Sequence, residues 1–353
     1  MKILFFPLIR QDHIHSNQAG DYQADSLFHG LRTLLGNDVV DLYKMWHLYN
    51  DADPESLKTL WGKGFTTCGL LPDTGDIDRD DIEYKVMNLD YDYIVVSIHH
   101  TVNGNYPVIG AALETFRSFY PKNRIILVDG WDRSDLNENI AKECIYFKRE
   151  MLSKHKNLVQ PISFSIPEEK IQDPLEKTFD FAPLIPRISL PDKSLHEETY
   201  IYEDEDSYYD DYRKSFFAYT CKKGRDDIPT EGWDCMRHYE ILACGCVPFF
   251  TDIEKCPEYI LRRFPTSMCS DAKRISGVYP GTKSTYDPKV STYIGTAKEI
   301  LGGDERGYID FDKFDRTMYN DINEKLTTYT KSALTTVATA KNFLKRVEEW
   351  ASR

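Results

Sequence analysis

Five short apolar runs in the first 150 residues, spaced by helix-length segments, set the tightest limit on what this chain can fold into. Residues 2–9, 38–43, 91–98, 123–129 and 143–148 read as buried strands. Between the first two, residues 21–35 place Leu27, Leu31, Leu34 and Leu35 on one helical stripe, with Gly36 as the stop. A second helix is expected over residues 107–119. Strands alternating with helices imply a parallel, doubly wound sheet, and ligands of such sheets bind at the carboxyl ends of the strands. At 353 residues the chain is too long for one ordinary core and suits two domains. The expected division is an α/β, Rossmann-like domain at 1–165, a second at 166–330 and a terminal helix at 331–353. The proline-rich stretch 160–192 reads as the crossing between domains. Residues 196–212, rich in Glu, Asp and Tyr, read as a solvated loop, with a lid as the sharper alternative. Residues 215–220 restore a strand. Near the carboxyl end, Leu334, Val337, Ala340, Phe343, Leu344, Val347 and Trp350 form a helical stripe.

Composition narrows the class of function. Hydrophobic residues make up 41% and charged residues 29% of the chain, as in a folded soluble protein. The longest apolar run, 241–250, is broken by Gly and Pro and is far short of the roughly 20 residues that cross a bilayer. Residues 2–9 read as a strand rather than a secretory leader, so a cytoplasmic location is expected. A net charge of −13 opposes a general phosphate-tracking surface while leaving room for a local basic groove. The eight cysteines (68, 144, 221, 235, 244, 246, 256 and 269) show no disulfide framework. Cys235, Cys244, Cys246 and Cys256 cluster without paired Cys-x-x-Cys spacing, so buried thiols are expected rather than zinc.

The segment 232–252 carries the most chemistry. Asp234 fits a helix cap, residues 235–243 have no breaker, and Gly245 supplies a left-handed turn before the apolar run 247–250. Arg237 and Glu240 lie three apart and share a face near the helix start. There they suit a phosphate and a ribose hydroxyl respectively, because the amino end of a helix favours anions. A surface salt bridge is the plainer reading of the same spacing.

The tail Glu240-Ile-Leu-Ala-Cys-Gly-Cys-Val-Pro248 resembles the donor-binding signature of GT-B glycosyltransferases, particularly the exostosin-like branch. The likeness covers residues 230–257. It implies two Rossmann-like domains facing a cleft, with the carboxyl-terminal helix crossing back to the first. It implies a glycosyltransferase that takes a sugar from a nucleotide diphosphate sugar, a uridine diphosphate sugar being the expected donor, without a bound cofactor. Lys223 joins Arg237, Glu240 and Gly232 in the expected donor site, beside Lys222 and Arg225. Gly232 stands where many retaining enzymes carry an acidic residue, with Glu231 one position off register, and this leans towards inversion.

In inverting members of the family the loop after the first strand often supplies the general base. Here Asp21 is the first choice, with Asp12 and His13 behind it; Asp21 fits a helix cap equally well. His15 and Asp25 read as structural. His99 and His100 follow the third strand, and neighbours on an extended chain point oppositely, so at most one faces the cleft. Asp129 and Trp131 end the next strand and complete the expected acceptor side, Trp131 stacking on a sugar or packing inside.

Metal-dependent transfer would need Asp-x-Asp at the carboxyl end of a strand. The pairs at 51/53, 76/78 and 204/206 fall in loops, and 90/92 precedes a strand, so no metal is expected. The acceptor is expected to be a glycan or, as in some viral and phage glycosyltransferases, a hydroxymethylated DNA base. The rival from another class is a non-catalytic nucleotide-sugar- or glycan-binding protein. A dehydrogenase is disfavoured because no Gly-x-Gly-x-x-Gly follows the first strand. Oligomeric state is left open.

Overall fold

The computed structural model describes residues 1–8, 20–98, 106–183, 202, 204–223, 228, 230–280 and 307–352. The chain divides into two compact units, 1–167 with 257–262 and 335–353, and 168–256 with 263–334.

The first unit is built on a parallel sheet of six strands: β1 (Ile3–Leu8), β2 (Val39–Asp41), β3 (Tyr93–Ile98), β4 (Ile125–Asp129), β5 (Ile145–Lys148) and β6 (Gln160–Pro161). Their order is β2-β1-β3-β4-β5-β6, every pairing parallel. Five of these strands are the runs expected from sequence. The sixth, two residues long, carries too little periodicity to be read. Helices α1 (Tyr22–Leu35), α2 (Pro54–Lys58), α3 (Ile82–Met87), α4 (Tyr106–Arg117) and α5 (Glu138–Ala141) provide the crossovers and the long excursion after β2. The strands are buried on both faces, and Ile94, Val95 and Val96 have no exposure at all, as a doubly covered sheet requires.

In the second unit β7 (Phe179–Phe181), β8 (Ser215–Thr220) and β9 (Val247–Phe250) form a parallel sheet in that order. Helices α6 (Glu205–Arg213), α7 (Met236–Ala243), α8 (Thr266–Ala272) and α9 (Arg316–Tyr329) accompany it, with a two-stranded antiparallel ribbon of β10 (Val278–Pro280) and β11 (Gly307–Ile309). The described part of the 196–212 segment corrects the solvated-loop reading: residues 205–213 are helical, and Tyr208, Tyr209 and Tyr212 are buried. Asp204 caps α6 by accepting from the Ser207 N–H. Tyrosines at 208 and 212 share a face, so an acidic composition conceals an apolar stripe.

The last helix, α10 (Thr336–Ala351), belongs to the first unit. Its cap, Thr335, accepts from the Ala338 N–H, and the Thr336 N–H donates to the Ile166 carbonyl. His29 of α1 meets the Thr336 hydroxyl at 2.9 Å. Gly30 lets the two backbones touch: a Cβ there would lie 2.1 Å from the Thr336 carbonyl oxygen. Glycine inside a helix costs about 1 kcal/mol against alanine, so close packing is what its presence serves. Phe343 lies on Phe147 of β5, with ring centroids 4.6 Å apart. Among the described residues no helix is long and apolar enough to cross a membrane.

Gly30→Ala tests this contact. The methyl group meets backbone and cannot be accommodated by a rotamer change, so the expected loss is roughly 1–3 kcal/mol or more despite the better helix propensity. Urea denaturation measures it, and unchanged stability would show that α1 and α10 are not held at this distance.

Candidate functional site

In the second unit the elements follow one another as an α/β site requires. Strand β8 ends at Thr220, a basic turn follows, and α7 begins at Met236. The exposed Lys223 donates its backbone N–H to the Gly232 carbonyl at 2.7 Å, joining the basic turn to the approach to the helix. Gly232 sits at φ +66, a left-handed conformation that explains glycine here. Lys222 donates to the Ile228 carbonyl at 3.0 Å and lies over the Trp233 ring. Arg225 lies outside the described residues.

The start of α7 differs from the expected cap. Its cap position is Cys235, and Asp234 instead accepts from the Tyr239 hydroxyl at 2.9 Å, fully buried. His238 is also without exposure; its Nε2 reaches the Trp233 carbonyl at 2.8 Å, a partner that only accepts, so Nε2 carries the proton. The Nδ1 side meets the Thr220 hydroxyl at 2.7 Å, tying the helix to the end of β8. Gly245 takes the expected left-handed turn at φ +59.

Glu240 is fully buried and accepts from Tyr208 of α6 at 2.5 Å; the Tyr212 hydroxyl donates in turn to Tyr208 at 3.4 Å. Arg237, half-buried on the same face, lies close enough to Tyr212 to favour its ionised form, although burial dominates and pushes that phenol well up. Glu240, Tyr208 and Tyr212 form one hydrogen-bonded seam through an aromatic environment. Lys177, mostly buried, donates to the Gly245 and Arg213 carbonyls at 3.0 Å each, holding the carboxyl ends of α7 and α6; burial pushes its ammonium pKa down.

In the first unit Asp21 caps α1, its Oδ1 accepting from the Gln23 N–H at 2.9 Å. Its own N–H donates to Asp25 at 3.1 Å. The other Asp25 oxygen meets His47 Nε2 at 2.9 Å, both side chains being buried. Burial raises the Asp25 carboxyl, and the neighbouring His47 offsets part of that. No spacing in the sequence links Asp25 to His47, twenty-two residues away, because only the excursion after β2 brings them together. Asp12, His13, His99 and His100 lie outside the described residues.

Asp129, last in β4, is committed to the protein. It accepts from Tyr146 at 2.6 Å and from the Trp131 N–H at 3.0 Å, and it pairs with the fully buried Lys148 at 2.9 Å. Trp131 is half-buried with the Arg133 guanidinium 5.5 Å from its ring centroid. Next in sequence, Arg149 donates from Nε and Nη2 to the Gly130 carbonyl at 3.0 and 2.8 Å, and pairs with Asp132 and Glu150. The run Lys148-Arg149-Glu150 at a strand end was the sequence signal for this buried network. All eight cysteines are thiols, none in a disulfide, and among the described residues no group of side chains is arranged to hold a metal ion.

No protein-family model matches the chain, and no curated protein or solved structure matches it.

Two outcomes follow from the Tyr208–Glu240 seam. Tyr208→Phe leaves a buried carboxylate short of a donor and is expected to cost about 1–3 kcal/mol in urea denaturation; a neutral result would show that the seam is not formed. The second concerns alkali. Burial raises the Tyr212 and Tyr202 phenols above their usual value of 10.0. A raised folded-state pKa gives stability that is complete below the unfolded value and is lost as pH rises from there through the folded one. Lys177 acts in the opposite sense but is a single group. Tyrosinate absorbance and loss of circular dichroism are therefore expected to rise together above pH ~10; full titration with the fold intact would contradict this.

Proposed function

We propose that the chain is a GT-B-type glycosyltransferase that transfers a sugar from a nucleotide diphosphate sugar to an acceptor hydroxyl. The observation that carries the reading is the 2.7 Å bond from Lys223 to Gly232, which gathers the basic turn after β8 against the entry to the helix bearing Arg237 and Glu240. Two features support it: parallel sheets in both units, and the membership of 335–353 in the first unit, the return that the resemblance implies.

In this reading Lys223 and Arg237 face the diphosphate, where negative charge builds as the leaving group departs and where most of the catalytic gain arises. Glu240 accepts from a ribose hydroxyl, uridine being the expected nucleoside. The acceptor oxygen attacks the anomeric carbon, the bond from that carbon to the diphosphate oxygen breaks, and the acceptor proton passes to a general base. Asp21 is the described candidate for that base, and inversion is the expected outcome. The acceptor is a glycan or a hydroxymethylated base in viral or phage DNA, and the protein works in the cytoplasm. Activity on DNA would fall steeply with salt, activity on a glycan would not.

A non-catalytic nucleotide-sugar-binding protein is the second reading. The commitment of an Asp21 oxygen to capping α1 favours it, since that oxygen is already engaged.

A thermal-shift and hydrolysis panel of nucleotide diphosphate sugars on the wild type and on Glu240→Gln tests the proposal. One donor is expected to stabilise the wild type, with at least a tenfold loss of affinity in the variant, equal to about 1.4 kcal/mol. Stabilisation without turnover on any acceptor would move the binding-protein reading ahead. No response to any donor would overturn both.

A further inference from the structure

Helix α3 has one face on the core and another in water. Val86 is buried, and Ile82, one turn earlier, packs partly against the core. Tyr84 and Met87, three apart and so neighbours on the helix surface, are 64% and 48% exposed. Leu89, just past the helix, is 44% exposed. Single exposed apolar side chains are ordinary; three within the span 84–89 are a concentration that asks for a reason.

The helix ends in a pattern that glycine normally completes. The Leu89 N–H donates to the Val86 carbonyl at 3.1 Å and the Asp90 N–H to the Lys85 carbonyl at 3.0 Å. These are the two bonds of a Schellman turn, whose closing residue is left-handed, and Leu89 stands there at φ +61. Glycine adopts that conformation without strain and leucine does not. Left this exposed, the leucine gains little from burial, so the local fold gives no reason for it. The turn then feeds β3 at its amino end, the edge opposite the one where parallel sheets bind ligands.

Charge selects what covers these side chains. Residues 76–92 hold seven acidic and two basic side chains. Both cations are already paired, Arg79 with the buried Asp41 and Lys85 with Asp78, each at 2.6 Å. Asp80, Asp81, Glu83, Asp90 and Asp92 are exposed and flank Tyr84, Met87 and Leu89 in sequence. We propose that this acidic, apolar surface docks a protein partner whose own apolar anchors are flanked by lysine or arginine. Protein interfaces put apolar side chains at the centre and complementary charge around them. The same charge opposes other occupants. Anionic lipid and nucleic acid carry the sign of the acids, and a two-fold pairing of this chain would set acids against acids. The site is independent of the transferase reading.

Fluorescence anisotropy of a labelled amphipathic helix of leucine and lysine, titrated with the full chain, tests the site. Saturable binding that weakens as salt is raised is expected. Tyr84→Ser with Met87→Ser, and separately Asp80→Asn with Asp81→Asn, are each expected to weaken it roughly tenfold. Both double variants are expected to melt within about 2 °C of the wild type, since all four side chains are exposed. Leu89→Gly is expected to bind more weakly and to melt no lower, the mark of a leucine that serves a partner rather than the fold. Oligolysine binding as tightly as the amphipathic helix would reduce the surface to a general polyanion and overturn the site. So would unchanged binding in the variants, no binding in the wild type, or lower melting of Leu89→Gly. Sedimentation velocity addresses the remaining occupant: a self-association abolished by Met87→Ser would give the surface to a second copy and overturn the basic partner.

Discussion

The closest constraint in the first unit is the backbone contact between Gly30 and Thr336. It brings the last helix within van der Waals reach of the first, so a sheet made by the first 161 residues is closed by residues that come more than 170 positions later. Everything from 168 to 334, except 257–262, belongs to the other unit. A chain arranged this way cannot complete its first core until residues 335–353 have been made. The contact also fixes where α1 lies, and with it the placement of Asp21, Gln23 and Asp25 at the sheet's carboxyl edge.

That edge holds an unusual amount of buried polarity. Lys148, Arg149, Glu150, Asp129, Asp25 and His47 are nearly or wholly withdrawn from water. Removing one member of such a pair typically costs 3–5 kcal/mol, whereas replacing the whole network with apolar residues is often neutral. Stability alone therefore gives little reason to keep it. What the network does do is fix geometry: Arg149 pins the turn after β4, Asp129 ties that turn to β5, and Asp25 links α1 to the excursion after β2. A rigid edge of this kind is what positions groups for a ligand.

The second unit solves a similar problem differently. Its carboxylate, Glu240, accepts from Tyr208 of α6, to which Tyr212 donates in turn, inside an aromatic layer. Lys177 and His238 tie the ends of α6, α7 and β8 together through backbone carbonyls and a threonine hydroxyl. The signature helix is thereby held at both ends.

The sequence by itself determined the elements whose periodicity is strong: the five apolar strands of the first unit, α1 with its Gly36 stop, β8, β9 and the left-handed turn at Gly245. Those are local properties, set by alternation, helical spacing and the conformational freedom of glycine. It also marked Lys223, Gly232, Arg237 and Glu240 as one neighbourhood, because they lie within eighteen residues. Tertiary structure alone decided the rest. Residues 205–213 became a helix because tyrosines four apart found a core to enter, which composition could not reveal. Asp25 met His47 and the Tyr208 hydroxyl reached Glu240 only through packing between segments distant in the chain. Short-range pattern fixes what each segment is; which buried polar groups meet depends on long-range contacts that leave no period in the sequence.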